Sequence, residues 1–227
     1  MERDAVRRKL LEHIARKSLA LERERVIVAI DGVDGSGKTT FADELAAAMA
    51  TLGQSAIRAS VDGFHNSREI RYLRGRSSPE GYFLDSYNYK LLEQDLLLPF
   101  RSGARTVQTA RFDHKSNHEI TSAFAEPEAC SVLLIDGIFL HRDELARFWD
   151  LSVFLDVPFV VSYMRMAARD GSNPDPDAPE NHRYLEGQRI YLRQCKPQDR
   201  ATVLIDNADL EAPRIVREKP IGRNVWL

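Results

Sequence analysis

The segment from Gly32 to Thr39 constrains this chain more than any other. Gly32-Val33-Asp34-Gly35-Ser36-Gly37-Lys38-Thr39 satisfies every fixed position of the pattern Gly-x-x-x-x-Gly-Lys-Ser/Thr. The preceding run, Arg25 to Asp31, is apolar and rich in β-branched residues, the composition of a strand buried on both faces of a parallel sheet. From Thr39 to Leu52 the apolar pattern is helical, and Gly53 supplies a stop. Strand, glycine loop and helix in that order form a cradle for phosphate. The glycines let successive N–H groups turn inward, and the helix N-terminus adds partial positive charge. Lys38 would reach the β- and γ-phosphates, and the Thr39 hydroxyl would meet Mg²⁺. Gly32, Asp34, Gly35, Ser36, Gly37 and Thr40 complete the predicted nucleotide site. The expected nucleotide is ATP, with GTP as the alternative.

Further short apolar runs, Ala56 to Val61, Val132 to Ile135, Val153 to Leu155 and Thr202 to Ile205, alternate with helical patterns. That alternation predicts an α/β fold of P-loop NTPase type, a parallel sheet flanked by helices with right-handed crossovers. Residues 2 to 24, with Val6, Leu10, Leu11 and Ile14 at helical spacing, predict an amphipathic helix laid on the body. Residues 63 to 130 break the rhythm and read as an insertion that builds the acceptor side. Within it, a helix from Ser86 to Leu98 is expected to stop at Pro99, and Thr106 to Thr121 reads as a hairpin. The proline-rich stretch within 170–182 reads as a mobile lid. At 227 residues the whole chain is expected to be one domain.

Composition narrows the partners. Thirty-two Lys and Arg against 34 Asp and Glu leave a net charge of −2, so no global basic field draws the chain to nucleic acid or to anionic membrane. A small-molecule substrate is expected instead. Cys130 and Cys195 have no metal-ligand spacing and read as small buried apolar residues of a reducing compartment. No apolar signal core or membrane-length run is present, which makes a cytoplasmic location the default expectation.

The acceptor must come from residues outside the loop. Asp62 follows the second predicted strand, where ligands of open α/β sheets bind, and its carboxylate could take the proton of an attacking hydroxyl or cap the turn before Gly63. Asp136 ends the apolar run at 132–135 and is the expected Mg²⁺ carboxylate beside Thr39. Arg165 and Arg169, four apart on the helix before the lid, could close over the transferring phosphoryl group. Arg183, just beyond the lid, is a weaker candidate of the same kind. Phe64, His65 and Tyr82 could contact the acceptor. An Asn-Lys-x-Asp guanine reader is absent from the sequence, which weighs against a GTPase switch.

With these residues in hand, the sequence resembles the uridine kinase and phosphoribulokinase family of P-loop small-molecule kinases from Val26 to about Asn207. Val61 to His65 resembles the second-strand aspartate motif of uridine/cytidine kinases, and Leu84 to Asn88 resembles their aspartate-containing turn. The resemblance implies phosphoryl transfer from ATP to a hydroxyl, with Asp62 as catalytic base and Asp85 on the ribose hydroxyls; read locally, Asp85 or Ser86 could instead cap the helix that follows. It makes uridine or cytidine the first expected acceptor, with pantothenate, a sugar or sugar phosphate, or glycerate as alternatives, and it implies a homo-oligomer. Three departures stand out. Asp136-Gly137-Ile138 replaces Glu-Gly-Ile. Phe112-Asp113-His114 replaces a Tyr-Asp-Phe stretch, with the histidine of that region falling near Asn117 or His118. Met166 stands where a second arginine often adjoins the first.

Overall fold

The computed structural model describes residues 2–220, with the side chains of residues 2–4 outside the description. Helix α1 (Glu2–Leu19) leads into strand β1 (Arg25–Gly32), the phosphate loop and helix α2 (Lys38–Thr51). Strand β2 (Ser55–Ser60) follows, and a tight 3-10 turn, Val61–Phe64, ends it. The acceptor-side segment holds α3 (Arg68–Arg71), α4 (Pro79–Asp85), α5 (Tyr89–Leu92) and α6 (Leu98–Arg101). It also holds the two-residue strands β3 (Val107–Gln108), β4 (Phe112–Asp113), β5 (His118–Glu119) and β6 (Phe124–Ala125). Then come β7 (Ser131–Gly137), α7 (Asp143–Ala146), β8 (Leu151–Asp156) and α8 (Phe159–Asp170). The chain continues through α9 (His182–Cys195), α10 (Pro197–Arg200), β9 (Val203–Asp206) and β10 (Arg214–Glu218).

The sheet order is β10-β9-β8-β1-β7-β2. β1 lies between β7 and β8 and is parallel to both, which buries it on both faces and explains its continuous apolar sequence. Alternation with period two divides its side chains between two cores. Ile27 and Ala29 join Leu133 and Ile135 under the acceptor-side helices. Val26, Val28 and Ile30 join Phe41 and Leu45 of α2 and Leu11 and Ile14 of α1 on the other face.

Four sequence expectations change. The sheet is parallel except for its edge, where β10 runs antiparallel to β9. The first helix stops at Leu19, ahead of a turn with Glu22 in the left-handed region, and Val6 is 44 % exposed while Leu10, Leu11 and Ile14 are buried. Pro99 does not end its helix: residues 93–97 form a π turn in which Leu98 N donates to Glu93 O, and that wider turn lets the chain pass through proline, which has no N–H of its own to pair. Cys130 is exposed at the turn before β7, whereas Cys195 is buried as expected. The expected hairpin is present, its pairing carried by β4 with β5 and, outside them, β3 with β6.

Candidate active site

The phosphate loop leaves β1 at the carboxyl edge of the sheet and is fastened from three sides. Gln188 Oε1 accepts from Asp34 N at 2.7 Å, Asn207 Nδ2 donates to Ser36 O at 2.8 Å, and Asp31 Oδ1 accepts from Gly32 N at 2.7 Å. Gly35 (φ +72°) needs both its conformation and its missing side chain, because a Cβ there would stand 2.4 Å from Ser162 O of α8. Gly37 (φ +90°) turns the chain into α2. Lys38 Nζ rests on Val33 O at 2.8 Å, folded over the loop.

Beside the loop lies a cavity of about 480 Å³. Its lining includes Asp34, Gly35, Lys38 and Thr39 from the phosphate loop and the start of α2, and Asp62, His65, Tyr82 and Tyr87 from the turn after β2 and the segment that follows it. Gly32, Gly37 and Thr40 stand outside that lining, and Ser36 is buried beneath it. Asp136 is buried between two partners: Thr39 Oγ1 donates to its Oδ2 at 2.8 Å, and Arg58 Nη2 donates to its Oδ1 at 2.8 Å. This hydroxyl and carboxylate are hard oxygen donors side by side, and they suit Mg²⁺, which takes one or two protein oxygens and fills its other positions with water and phosphate.

Asp62 sits on the turn after β2, where Tyr87 donates its hydroxyl to Oδ1 at 3.0 Å. Burial, and after it the Asp62 charge, hold the Tyr87 hydroxyl protonated, so it acts as a donor that fixes the carboxylate. His65 Nδ1 lies 2.8 Å from Asp62 O. A carbonyl only accepts, so Nδ1 carries the proton and Nε2 keeps its lone pair. Burial lowers the His65 pKa and keeps the ring neutral. The ring makes tilted contacts with Tyr87 (centroids 4.4 Å) and His114 (4.5 Å). Tyr82 donates to Asp34 Oδ2 at 2.7 Å, and burial raises the pKa of Asp34 against the opposing pull of Lys38.

Three predicted residues lie elsewhere. Phe64 is fully buried in the core under the acceptor-side helices, its ring turned inward from the tight turn. Asp85 is outside the cavity lining, with Oδ2 accepting from Arg74 Nε at 2.9 Å. Arg165 donates to Asn207 O at 2.9 Å and Ala208 O at 2.8 Å, away from the cavity. Four helical residues climb about 6 Å, so the same face that places Arg165 beside the loop after β9 carries Arg169 to the cavity rim. There Arg169 pairs with Asp170 at 2.7 Å. Arg183 borders the cavity but donates to four carbonyls, of Arg71, Gly75, Arg76 and Ser78, and so clamps the segment after α3.

The lining also holds residues that the sequence pattern does not single out, Arg71, Tyr72, Tyr163 and Tyr184, together with His114 of the Phe112-Asp113-His114 stretch. Neither Asn117 nor His118 reaches the lining; Asn117 Oδ1 accepts from Arg68 N instead. The stretch 171–178 contains no helix or strand, and Asn181 Nδ2 holds it by donating to Asn173 O and Asp175 O at 3.1 and 2.7 Å.

The family model for phosphoribulokinase and uridine kinase matches residues 27–174, which span the phosphate loop, Asp62, Asp136 and α8. The chain belongs to the phosphoribulokinase / uridine kinase family. It is a P-loop kinase, an ATP-dependent transferase by family. A uridine kinase of Leuconostoc citreum is 27 % identical over 146 residues, 64 % of this chain and 68 % of that protein. A structure from Bacillus stearothermophilus, described as a possible uridine kinase, superposes with a TM-score of 0.70 at 23 % identity, covering 87 % of this chain and 97 % of that one. A candidate fructose transport system kinase from Silicibacter sp. TM1040 superposes with a TM-score of 0.67 at 26 % identity, covering 81 % and 94 %. The solved structures thus share the fold, while their described substrates differ. No helix of the described residues is long and apolar enough to cross a membrane.

Proposed function

We propose that this kinase transfers the γ-phosphoryl group of ATP to a hydroxyl of a small molecule bound in the cavity between the phosphate loop and the 63–130 segment. The observation that carries the reading is the position of Asp62. It is a carboxylate lining the same cavity as Lys38 and Thr39, held at one oxygen by a protonated Tyr87, while the other oxygen accepts no side-chain hydrogen bond among the described residues. Asp62 accepts the proton of the acceptor hydroxyl, a role worth typically about 10²- to 10⁴-fold in rate. Lys38 swings from Val33 O to the phosphates, and Arg169 answers charge on the transferring group. Thr39 and Asp136 hold Mg²⁺, which when bound neutralises phosphate charge. Residues 170–182 act as a lid over the rim.

Uridine or cytidine is the acceptor suggested by the curated relatives named uridine kinase. Its second support, Asp85 as the ribose ligand, is weakened by the Arg74 ion pair. The reading is tested by ADP release from Mg-ATP across uridine, cytidine, pantothenate, ribulose 5-phosphate, fructose and glycerate, with Lys38→Ala as blank. Acceptor-dependent release with recovery of a phosphorylated product supports it. Release that no acceptor stimulates overturns it in favour of an NTPase.

A further inference from the structure

Two guanidinium groups of the cavity lining lack a carboxylate partner among the described residues. Arg71 lines it, and its hydrogen-bond partners are backbone carbonyls, Asn66 O at 3.0 Å from Nε and His114 O at 3.4 Å from Nη2. Arg183 lines it too, and it likewise donates only to carbonyls. Among the described residues neither guanidinium has a carboxylate within ion-pairing distance.

The nearby acids are committed elsewhere. Asp85 is taken by Arg74, Asp170 by Arg169 and Asp136 by Arg58. Asp34 is turned to Tyr82 on the phosphate-loop side. Asp62 is fixed by Tyr87 as the proposed base. Arg183 is buried and Arg71 half-buried, and a guanidinium forms its strongest hydrogen bonds with an anion. Lys38 has nucleotide phosphate for that role; neither Arg71 nor Arg183 has a carboxylate partner among the described residues.

Arg71 is the one that can reach outward, because its Nη1 has no hydrogen-bond partner among the described residues while Arg183 is saturated by carbonyls. Beside it stands His114, whose ring makes a tilted contact with His65 and which lines the same cavity. A fork of guanidinium N–H donors next to an imidazole recognises a phosphate monoester or a carboxylate through charge-assisted hydrogen bonds about twice as strong as those it makes to a neutral acceptor.

We infer that the acceptor carries an anionic group, a phosphate or a carboxylate, which binds Arg71 and His114 while its reacting hydroxyl meets Asp62. The inference rests on the proposal that the acceptor enters this cavity. It disfavours a neutral nucleoside.

The test is calorimetric titration of the full-length protein saturated with Mg·AMP-PNP. The probes are inorganic phosphate and three matched pairs: ribulose with ribulose 5-phosphate, glycerol with glycerate, and pantothenol with pantothenate. We expect phosphate to bind and the charged member of at least one pair to bind ten-fold or more tightly than its neutral partner. The pairs separate phosphate from carboxylate. Arg71→Gln should lose that preference, Arg71→Lys should retain part of it, and both should bind AMP-PNP as the wild type does. Neutral members binding as tightly as charged ones, no binding of any anion, or an undiminished preference in Arg71→Gln each overturns the inference. Wild-type titrations decide the matter if the glutamine variant fails to fold. Turnover is scored separately: anion binding without ADP release counts against the kinase reading alone, and turnover of uridine or fructose without an anion preference counts against the inference alone.

Discussion

Tyr82 donates its hydroxyl to Asp34 Oδ2 at 2.7 Å, and that bond ties the acceptor-side helix α4 to the phosphate loop. Asp34 also meets α9 through Gln188, so one loop residue links the segments that bind the two proposed substrates. Burial raises the Asp34 pKa, with Lys38 and then the Tyr82 hydrogen bond partly opposing it. Tyr82→Phe therefore leaves a buried carboxylate short of a donor, at a cost of about 1–3 kcal/mol. We expect a lower urea midpoint and a several-fold higher KM for ATP. An unchanged KM would separate the bond from nucleotide binding.

Asp62→Asn keeps the shape and removes the proton acceptor. Turnover should fall about 100-fold or more with ATP affinity little changed, because the group acts only on the acceptor proton. Tyr87→Phe frees the carboxylate to rotate and should lower turnover less than Asp62→Asn does. Steady-state kinetics with ATP binding measured in parallel checks both. If Asp62→Asn turns over near the wild-type rate, the base lies elsewhere.

His65 gives the fold a pH dependence of defined sign. Burial lowers its pKa, so the unfolded chain binds the proton more readily than the folded one. The penalty is absent while pH stays above the ordinary histidine value of about 6.5 and grows as pH falls below it. His65→Asn should flatten that part of the stability curve. Urea midpoints of both proteins from pH 7.5 to 5 measure it, and parallel curves would assign the acid sensitivity to other groups.

Asp85 separates two readings of one aspartate. If it binds ribose hydroxyls, Asp85→Asn raises the acceptor KM strongly. In the structure it pairs with a half-exposed Arg74, and such pairs contribute about 0–1 kcal/mol. We expect a small drop in melting temperature and a KM within a few-fold of wild type for the best acceptor in the panel.

The contrast between Lys38 and Asp85 shows where the sequence was legible. The phosphate loop is a local structure, in which spacing, glycine positions and flanking periodicity together dictate strand, turn and helix. The core strands were equally plain, because burial on both faces demands continuous apolar runs. The acceptor wall is assembled from α3, α4 and a hairpin, so membership depends on tertiary placement. Arg71 belongs to a run of arginines of which only some face inward. His114 and Asn117 share the turn between β4 and β5, yet only His114 lines the cavity, while Asn117 is drawn to the Arg68 backbone. Phe64 and Asp85 sit in the expected motifs, yet a tight turn buries one and Arg74 draws the other away. Nor did the weak edge pattern of Arg214 to Glu218, largely exposed, announce an antiparallel strand.

The Thr39–Asp136 bond places the proposed Mg²⁺ ligands side by side, and Arg58 holds the far carboxylate oxygen at 2.8 Å. Asp136→Asn removes the charge at one of those ligands and should raise the Mg²⁺ concentration for half-maximal turnover by about ten-fold, the scale on which ligand and supporting groups act. Arg58→Ala leaves the ligand in place but unpairs a buried carboxylate that is 3 % exposed. It should shift the Mg²⁺ requirement less and stability more, by about 3–5 kcal/mol at most, since the cation can partly replace the lost partner. Adding Mg²⁺ with ADP should then restore more melting temperature to Arg58→Ala than to wild type. Equal gains in the two proteins would show that the metal does not sit against Asp136.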